Sequence, residues 1–263
     1  MRPDISEALS LLFSPCIEWL FADGGRPFAD RVGVAASSGF AHVEFWTARD
    51  KDLVGLDQAI RESGVTVSAF VSEPTGRLVD PATHDQFLQG VVESARLARR
   101  LGARGLIAVS GDTRAGVPRR EQHDAVVEAL RRAAPVASDA GARLLLEPMN
   151  TLVDHPNYFL ESTAEAMEIV TEVGHPAVKV LYDLYHSVVM GEDPKSVLAG
   201  NGDLIGHVHI ADVPGRHEPG TGEIDWPTQL ATLRSAGYQG PIGLEYRPTG
   251  DTLSSLAYIR SIT

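Results

Sequence analysis

The run Ala98-Arg99-Arg100-Leu101-Gly102-Ala103-Arg104-Gly105-Leu106-Ile107-Ala108-Val109 decides how the chain folds, because it joins a helical face to a strand through a glycine. Upstream, Gln86 to Leu101 places Phe87, Val91, Val92, Ala95 and Ala98 at spacings that make one apolar face of a helix. Gly102 closes that helix, and Gly105 to Val109 is the short aliphatic run of a strand buried on both faces. Downstream the pattern recurs. Arg119 to Ala140 carries Val126, Val127, Leu130 and Ala134 on one side and Arg131 and Arg132 on another; Gly141 closes it, and Leu144 to Glu147 is aliphatic again.

Working outward, the same helix-glycine-strand turn appears at Gly39, Gly64 and Gly237. Eight strand-like runs result: Cys16 to Phe21, His42 to Trp46, Val65 to Val71, Gly105 to Val109, Leu144 to Glu147, Val178 to Tyr182, Gly206 to Ile210 and Ile242 to Tyr246. Eight βα units in 263 residues predict an α/β fold, a (β/α)8 TIM barrel, as a single domain over residues 1–263. The repetition is of architecture and not of sequence. No Ser/Pro-rich linker or low-complexity tract divides the chain. An open doubly wound sheet would have fewer strands and a glycine-rich nucleotide loop. Gly111 to Gly116 lacks both the Lys-Ser/Thr ending of a phosphate loop and the three-glycine spacing of a dinucleotide fingerprint.

Lys and Arg number 23 against 35 Asp and Glu, a formal charge of −12, so the average surface repels nucleic acid and anionic membranes. No stretch approaches the ~18 to 20 apolar residues that cross a bilayer. The one cysteine, Cys16, has no partner for an intramolecular disulfide, and a reducing, cytoplasmic setting is expected. Met1-Arg2 followed by apolar Ala8 to Phe13 is not read as a signal peptide. Asp4 and Glu7 are acidic where basic residues are wanted, and Pro15 sits where a small residue should precede cleavage, so Cys16 is not read as a lipid-attachment site either.

In a barrel the active site lies where the strands end. Leu144-Leu145-Leu146 ends in Glu147, Val178 to Tyr182 ends in Asp183, Gly206-His207-Val208-His209-Ile210 carries two histidines, and Ile242-Gly243-Leu244 ends in Glu245. Four consecutive strands thus bring Glu, Asp, His and Glu to one rim. Three carboxylates on an apolar mouth repel one another unless a cation neutralises them. Oxygen donors with one imidazole suit Mg²⁺ or Mn²⁺ better than a thiolate-rich structural zinc site, with Zn²⁺ and Co²⁺ left open. His207 could replace His209 as the ligand, but its deeper position suits a satisfied core histidine. Glu44, on the second strand, either lines the mouth as a substrate contact or pairs with a buried cation. The Pro/Gly-rich loop from Ile210 to Trp226 carries Arg216, which suits a clamp for a substrate carboxylate or, alternatively, a structural ion pair with Glu218 or Glu223. Asp225-Trp226-Pro227 reads as the cap and first turn of the next helix. Trp46 and Tyr158 are apolar candidates for a subunit contact or for the roof of the site.

Glu147-Pro148-Met149-Asn150, Tyr182-Asp183-Leu184-Tyr185-His186, the run from His207 to Glu223 and Gly243-Leu244-Glu245-Tyr246-Arg247-Pro248 resemble the hydroxypyruvate isomerase family of xylose isomerase-like barrels. The similarity extends to Ile17-Glu18-Trp19-Leu20-Phe21 and Val43-Glu44-Phe45-Trp46. The resemblance implies one divalent metal on Glu147, Asp183, His209 and Glu245, with Glu147 and Glu245 as the acid/base pair and His186 and Arg216 as substrate contacts. It implies interconversion of an α-hydroxy ketone and an α-hydroxy aldehyde, a small-molecule substrate and, at family level only, a homo-oligomer. Two departures lie near the substrate: Ser187-Val188-Val189-Met190 follows His186, and Arg247 stands where the family suggests Lys or Gln. Ketose 3-epimerases and sugar isomerases share this machinery. A DNA repair nuclease would need more histidines and a basic track, and a sugar-acid-binding barrel would not need two opposed glutamates.

Overall fold

The computed structural model describes residues 13–262, so the expectations placed on Met1 to Leu12 lie outside the described residues. Among those described, the strands are β1 Phe13–Pro15, β2 His42–Val43, β3 Thr66–Val67, β4 Ala69–Val71, β5 Gly105–Val109, β6 Arg143–Glu147, β7 Val178–Asp183, β8 Ile205–Ile210 and β9 Ile242–Leu244. All pair in parallel, in the order β1-β9-β8-β7-β6-β5-β4, with β2 on β3. The ring closes through loop backbone. Cys16 bridges Glu44, Ile17 N–H donates to the Glu44 carbonyl at 2.9 Å, and Val71 N–H donates to the Trp46 carbonyl at 2.8 Å. Strands β3 and β4 flank Ser68 and occupy one place in the ring, which gives the expected (β/α)8 barrel.

The outer layer is α1 Phe28–Ser37, α2 Leu53–Ser63, α3 His84–Leu101, α4 Arg119–Asp139, α5 Thr163–Val173, α6 Leu184–Val189, α7 Pro194–Leu198 and α8 Trp226–Ser235, followed by α9 Thr252–Ser255 and α10 Ala257–Ser261. The apolar face of α3 buries Phe87, Val91, Ala95 and Ala98 against the sheet, each large side chain contributing roughly 1.5–3 kcal/mol. Gly64, Gly102 and Gly174 end their helices in the left-handed conformation, where a β-carbon would be strained. Asp225 caps α8 by accepting from Thr228 N–H, as the sequence suggested.

One boundary needs correction. Cys16 to Phe21 is expected as a strand, but β1 ends at Pro15 and residues 17–21 form a turn. Ile17, Leu20 and Phe21 are fully buried in that turn, and a buried apolar run reads the same in either conformation.

The barrel interior has two chemical halves. Ala69, Ile107, Leu145 and Leu181 make an apolar cluster on one side. On the other, the Ser14 and Ser68 hydroxyls share a hydrogen bond, Ser68 donates to Glu44 Oε2 at 3.0 Å, and His207 Nε2 meets the same oxygen at 2.8 Å. This buried polar column leads to the strand ends.

Candidate active site

Each of the four rim residues is set by its strand. Glu147 and Asp183 are the last residues of β6 and β7, His209 lies in β8, and Glu245 follows β9. Register places Asp183 beside His209 and His209 beside Gly243. The structure brings Glu147, Asp183, His209 and Glu245 together, with one donor atom of each within 4.8 Å of the others and every side chain buried. His209 Nδ1 points at two carboxylates, 3.6 Å from Glu147 Oε1 and 3.4 Å from Glu245 Oε2, without a hydrogen bond. Three hard oxygen donors converging with an unbonded imidazole nitrogen fit a divalent cation. The electrostatics agree. Burial opposes an imidazolium at His209, yet Glu44 and Glu245 raise its pKa well above the ordinary value, so the carboxylates demand positive charge at this spot.

Glu44 sits behind His209 in the barrel interior and is not among the cavity's lining residues. Its Oε1 is 3.1 Å from His209 Nε2, and its Oε2 takes His207 and Ser68. Burial would raise the Glu44 carboxyl, but His209 and His207 hold it down at about 2, so it stays ionised. A proton on His209 Nε2 facing Glu44 leaves Nδ1 with its lone pair toward the rim. Gly243 makes room for this pair: a β-carbon there would lie 2.3 Å from Glu44 Oε1 and 2.5 Å from His209 Cδ2. His207 is the buried, satisfied histidine that its position in the strand suggested.

Arg216 reaches in from the loop after β8. It donates to Glu245 Oε2 and to Asp183 Oδ2 rather than to Glu218 or Glu223, and Glu218 instead accepts from Thr249. Burial would push the Glu245 carboxyl up, but Arg216 and His209 hold it below the usual carboxylate range. For Asp183 burial wins over Arg216, and its carboxyl is raised. Arg216 Nε is buried with no partner, one donor left for a ligand. Asp212, to which the sequence reading gave no role, organises this loop. Its carboxylate accepts from the N–H groups of Val213, Gly220 and Ile224 and from Trp226 Nε1 at 2.7–3.2 Å. An acidic residue two positions after a strand, at the start of a Pro/Gly-rich loop, was the available signal.

Above the rim lies a cavity of about 520 Å³ lined by Trp19, Trp46, Met149, Asp154, His155, Tyr185, His186, Arg216 and Arg247, with Glu147 and Glu245 on its floor. His186 Nδ1 accepts from Asn150, from its backbone N–H at 3.2 Å and its amide at 2.6 Å. Its other nitrogen is therefore the N–H donor, and burial with the nearby Arg216 pushes the imidazole down to about 3, keeping it neutral. Trp46 Nε1 donates to Glu245 Oε1, so Trp46 is part of the site. Tyr158 is buried rather than exposed: its hydroxyl accepts from Ser110 N–H and donates to the Glu147 carbonyl, fixing the end of β6.

The family model for the xylose isomerase-like TIM barrel matches residues 32–262. The chain belongs to that family. Hydroxypyruvate isomerase of Escherichia coli (strain K12) is 32% identical over 95% of this chain and 98% of its own length. The 2-oxo-tetronate isomerase of Cupriavidus necator is 31% identical over 89% of this chain and 92% of its own. Among solved structures, a Brucella melitensis protein described as AP endonuclease, family 2 superposes with a TM-score of 0.88 at 32% identity, covering 95% of this chain and 98% of that one. These relatives bear out the resemblance read from the motifs, and the two isomerases among them place this xylose isomerase-like chain among the isomerases. Among the described residues no helix is long and apolar enough to cross a membrane.

Proposed function

We propose that the protein is a divalent-metal isomerase that interconverts hydroxypyruvate, or a related short hydroxy-keto acid, with the corresponding α-hydroxy aldehyde. The observation that carries this reading is the buried Glu147, Asp183, His209 and Glu245 cluster, two of whose members, Glu147 and Glu245, line the cavity. These four side chains would hold Mg²⁺ or Mn²⁺, which would polarise the substrate oxygens and offset negative charge as it develops. Zn²⁺ and Co²⁺ would satisfy the same donors.

The remaining chemistry belongs to the chain. One glutamate of the Glu147 and Glu245 pair takes the proton from the hydroxyl-bearing carbon, and the other returns a proton to the former carbonyl carbon. The hydroxyl proton shifts to the neighbouring oxygen, so the reaction balances through an enediolate without an oxidant. Neutral His186 offers its N–H, and Arg216 its spare Nε–H, to oxygens on which charge builds up. Asp154 and Asn150 keep Tyr185 and His186 in place: Asp154 accepts from both the Tyr185 hydroxyl at 2.8 Å and the Asn150 amide at 2.7 Å.

The Brucella protein's name invites a nuclease reading, but a net charge of −12 and a single histidine in the four-residue cluster oppose it. A binding barrel would not require two opposed glutamates. The buried Cys16 and acidic surface accord with a reducing cytoplasm. Product analysis tests the proposal. Metal-loaded protein given hydroxypyruvate, a tetronate-derived keto acid and a ketohexose is expected to form tartronate semialdehyde from the first. Turnover of the ketohexose alone, to its 3-epimer or to an aldose, would contradict it.

A further inference from the structure

The rim has a charge balance that leaves one role unfilled. Glu147, Asp183 and Glu245 contribute three negative charges, and Arg216 together with a divalent ion supplies three positive ones. With Asp154, which also lines the cavity, the rim keeps no positive charge in excess, and Arg216, which the sequence suggested as the carboxylate clamp, is already engaged by two carboxylates. A substrate that brings a carboxylate of its own needs a further cation.

Arg247 is placed to supply it. It lines the same cavity as Glu147 and Glu245, two residues beyond Glu245 along the chain. Its backbone is held on both sides: its N–H donates to the Arg216 carbonyl at 2.9 Å, and its carbonyl accepts from His217 Nδ1 at 2.8 Å. Its guanidinium carbon lies 5.0 Å from the Trp19 ring centre, and that of Arg216 lies 5.6 Å from the same ring. Trp19 in turn packs edge-on against Trp46 with centroids 4.7 Å apart, so two packed indoles back the Arg247 side chain. Among the described residues no carboxylate pairs with Arg247. Its exposed guanidinium carries no ion pair, while that of Arg216 is tied through one nitrogen to both Asp183 and Glu245.

We propose that Arg247, stacked on Trp19, is the carboxylate-binding residue of the cavity and selects an α-keto acid over a neutral ketose. This rests on the isomerase reading for the identity of the substrate, but not for the test of Arg247 itself. The substrate would then lie with its carboxylate at the Trp19 and Arg247 wall and its hydroxy-carbonyl end between the two glutamates. Arg216 would keep a contact to an uncharged oxygen.

Calorimetric binding to the metal-loaded protein separates the alternatives, with D-glycerate as a carboxylate that does not turn over and glycerol as its neutral counterpart. Arg247→Gln is expected to weaken D-glycerate roughly tenfold to a hundredfold, the scale of one charge-assisted pair, and to leave glycerol unchanged. Arg247→Lys should recover part of the loss, since it keeps the charge and gives up the planar fork. Equal weakening of both ligands, or unchanged D-glycerate binding, would overturn the proposal. Turnover separately reports on the isomerase reading. Hydroxypyruvate and dihydroxyacetone differ only in carboxylate against hydroxymethyl, and Arg247→Gln should raise KM for the first alone, with kcat nearly constant. A wild-type protein that converts neither hydroxypyruvate nor the tetronate-derived keto acid would refute the isomerase while leaving the binding result to decide Arg247.

Discussion

At the scale of single residues, the site works by making each donor serve one direction. Glu44 takes up one nitrogen of His209, which commits the other to the rim; His186 is committed in the same way by Asn150. A glutamine at position 44 would have one acceptor oxygen to face both His207 and His209, and one ring would meet an amide N–H instead. Glu44→Gln is therefore expected to lower Mn²⁺ affinity roughly 10- to 100-fold, although residue 44 touches neither ion nor substrate. Titration of the apo-protein with Mn²⁺ checks this, and an unchanged affinity would show that Glu44 does not orient His209. The ligand types were legible in the sequence because each ends or nearly ends an apolar run. The Glu44 and His209 contact was not legible. It joins residues 165 positions apart across a closed ring, and no local pattern reports which inward-facing side chains meet there.

At the scale of elements, two features decide the site: where strands stop, and how the loop after β8 is tied. The strands from β5 onward were readable to within a residue or two, because they are aliphatic, buried on both faces and bounded by glycine-closed helices. Near the N-terminus, β1 was misplaced and β2 shrank to two residues, since buried turns and buried strands share a composition. The loop hangs on Asp212, fully buried and accepting four hydrogen bonds, and through it Arg216 is delivered to Asp183 and Glu245. Asp212→Ala strands those donors. It is expected to destabilise the protein by about 3 kcal/mol, the upper range for losing a hydrogen bond to a charged group, and to lower the melting temperature by roughly 10 °C. KM should rise as Arg216 loses its anchor. Thermal denaturation and steady-state kinetics of the variant measure both, and a stable variant with wild-type KM would show that the loop is held by its backbone alone.

At the scale of the whole molecule, the barrel explains why so acidic a chain concentrates charge at one mouth. Half of its interior is an apolar cluster; the other half is a hydrogen-bonded column that runs from Ser14 and Ser68 to Glu44 and His207, with His209 facing Glu44 at 3.1 Å. The column supports the rim from below, and Trp19, Trp46 and Tyr185 wall the cavity above it. Fold and rim were foreseeable because eight βα units imply a ring and a ring implies one shared mouth. The direction in which Arg216 spends its charge was not, because it depends on the path of a loop rather than on any period in the sequence. The central claim is proton transfer at a metal-dependent glutamate pair. It is tested most directly by following hydroxypyruvate in deuterated water by NMR, with Mg²⁺-loaded protein, chelator-treated protein and the Glu245→Gln variant side by side. Loaded wild type should exchange carbon-bound hydrogen and form tartronate semialdehyde; chelator should abolish both, and Glu245→Gln should slow both by roughly 10²–10⁴-fold. Exchange that persists without metal, or at the wild-type rate in Glu245→Gln, would contradict the account.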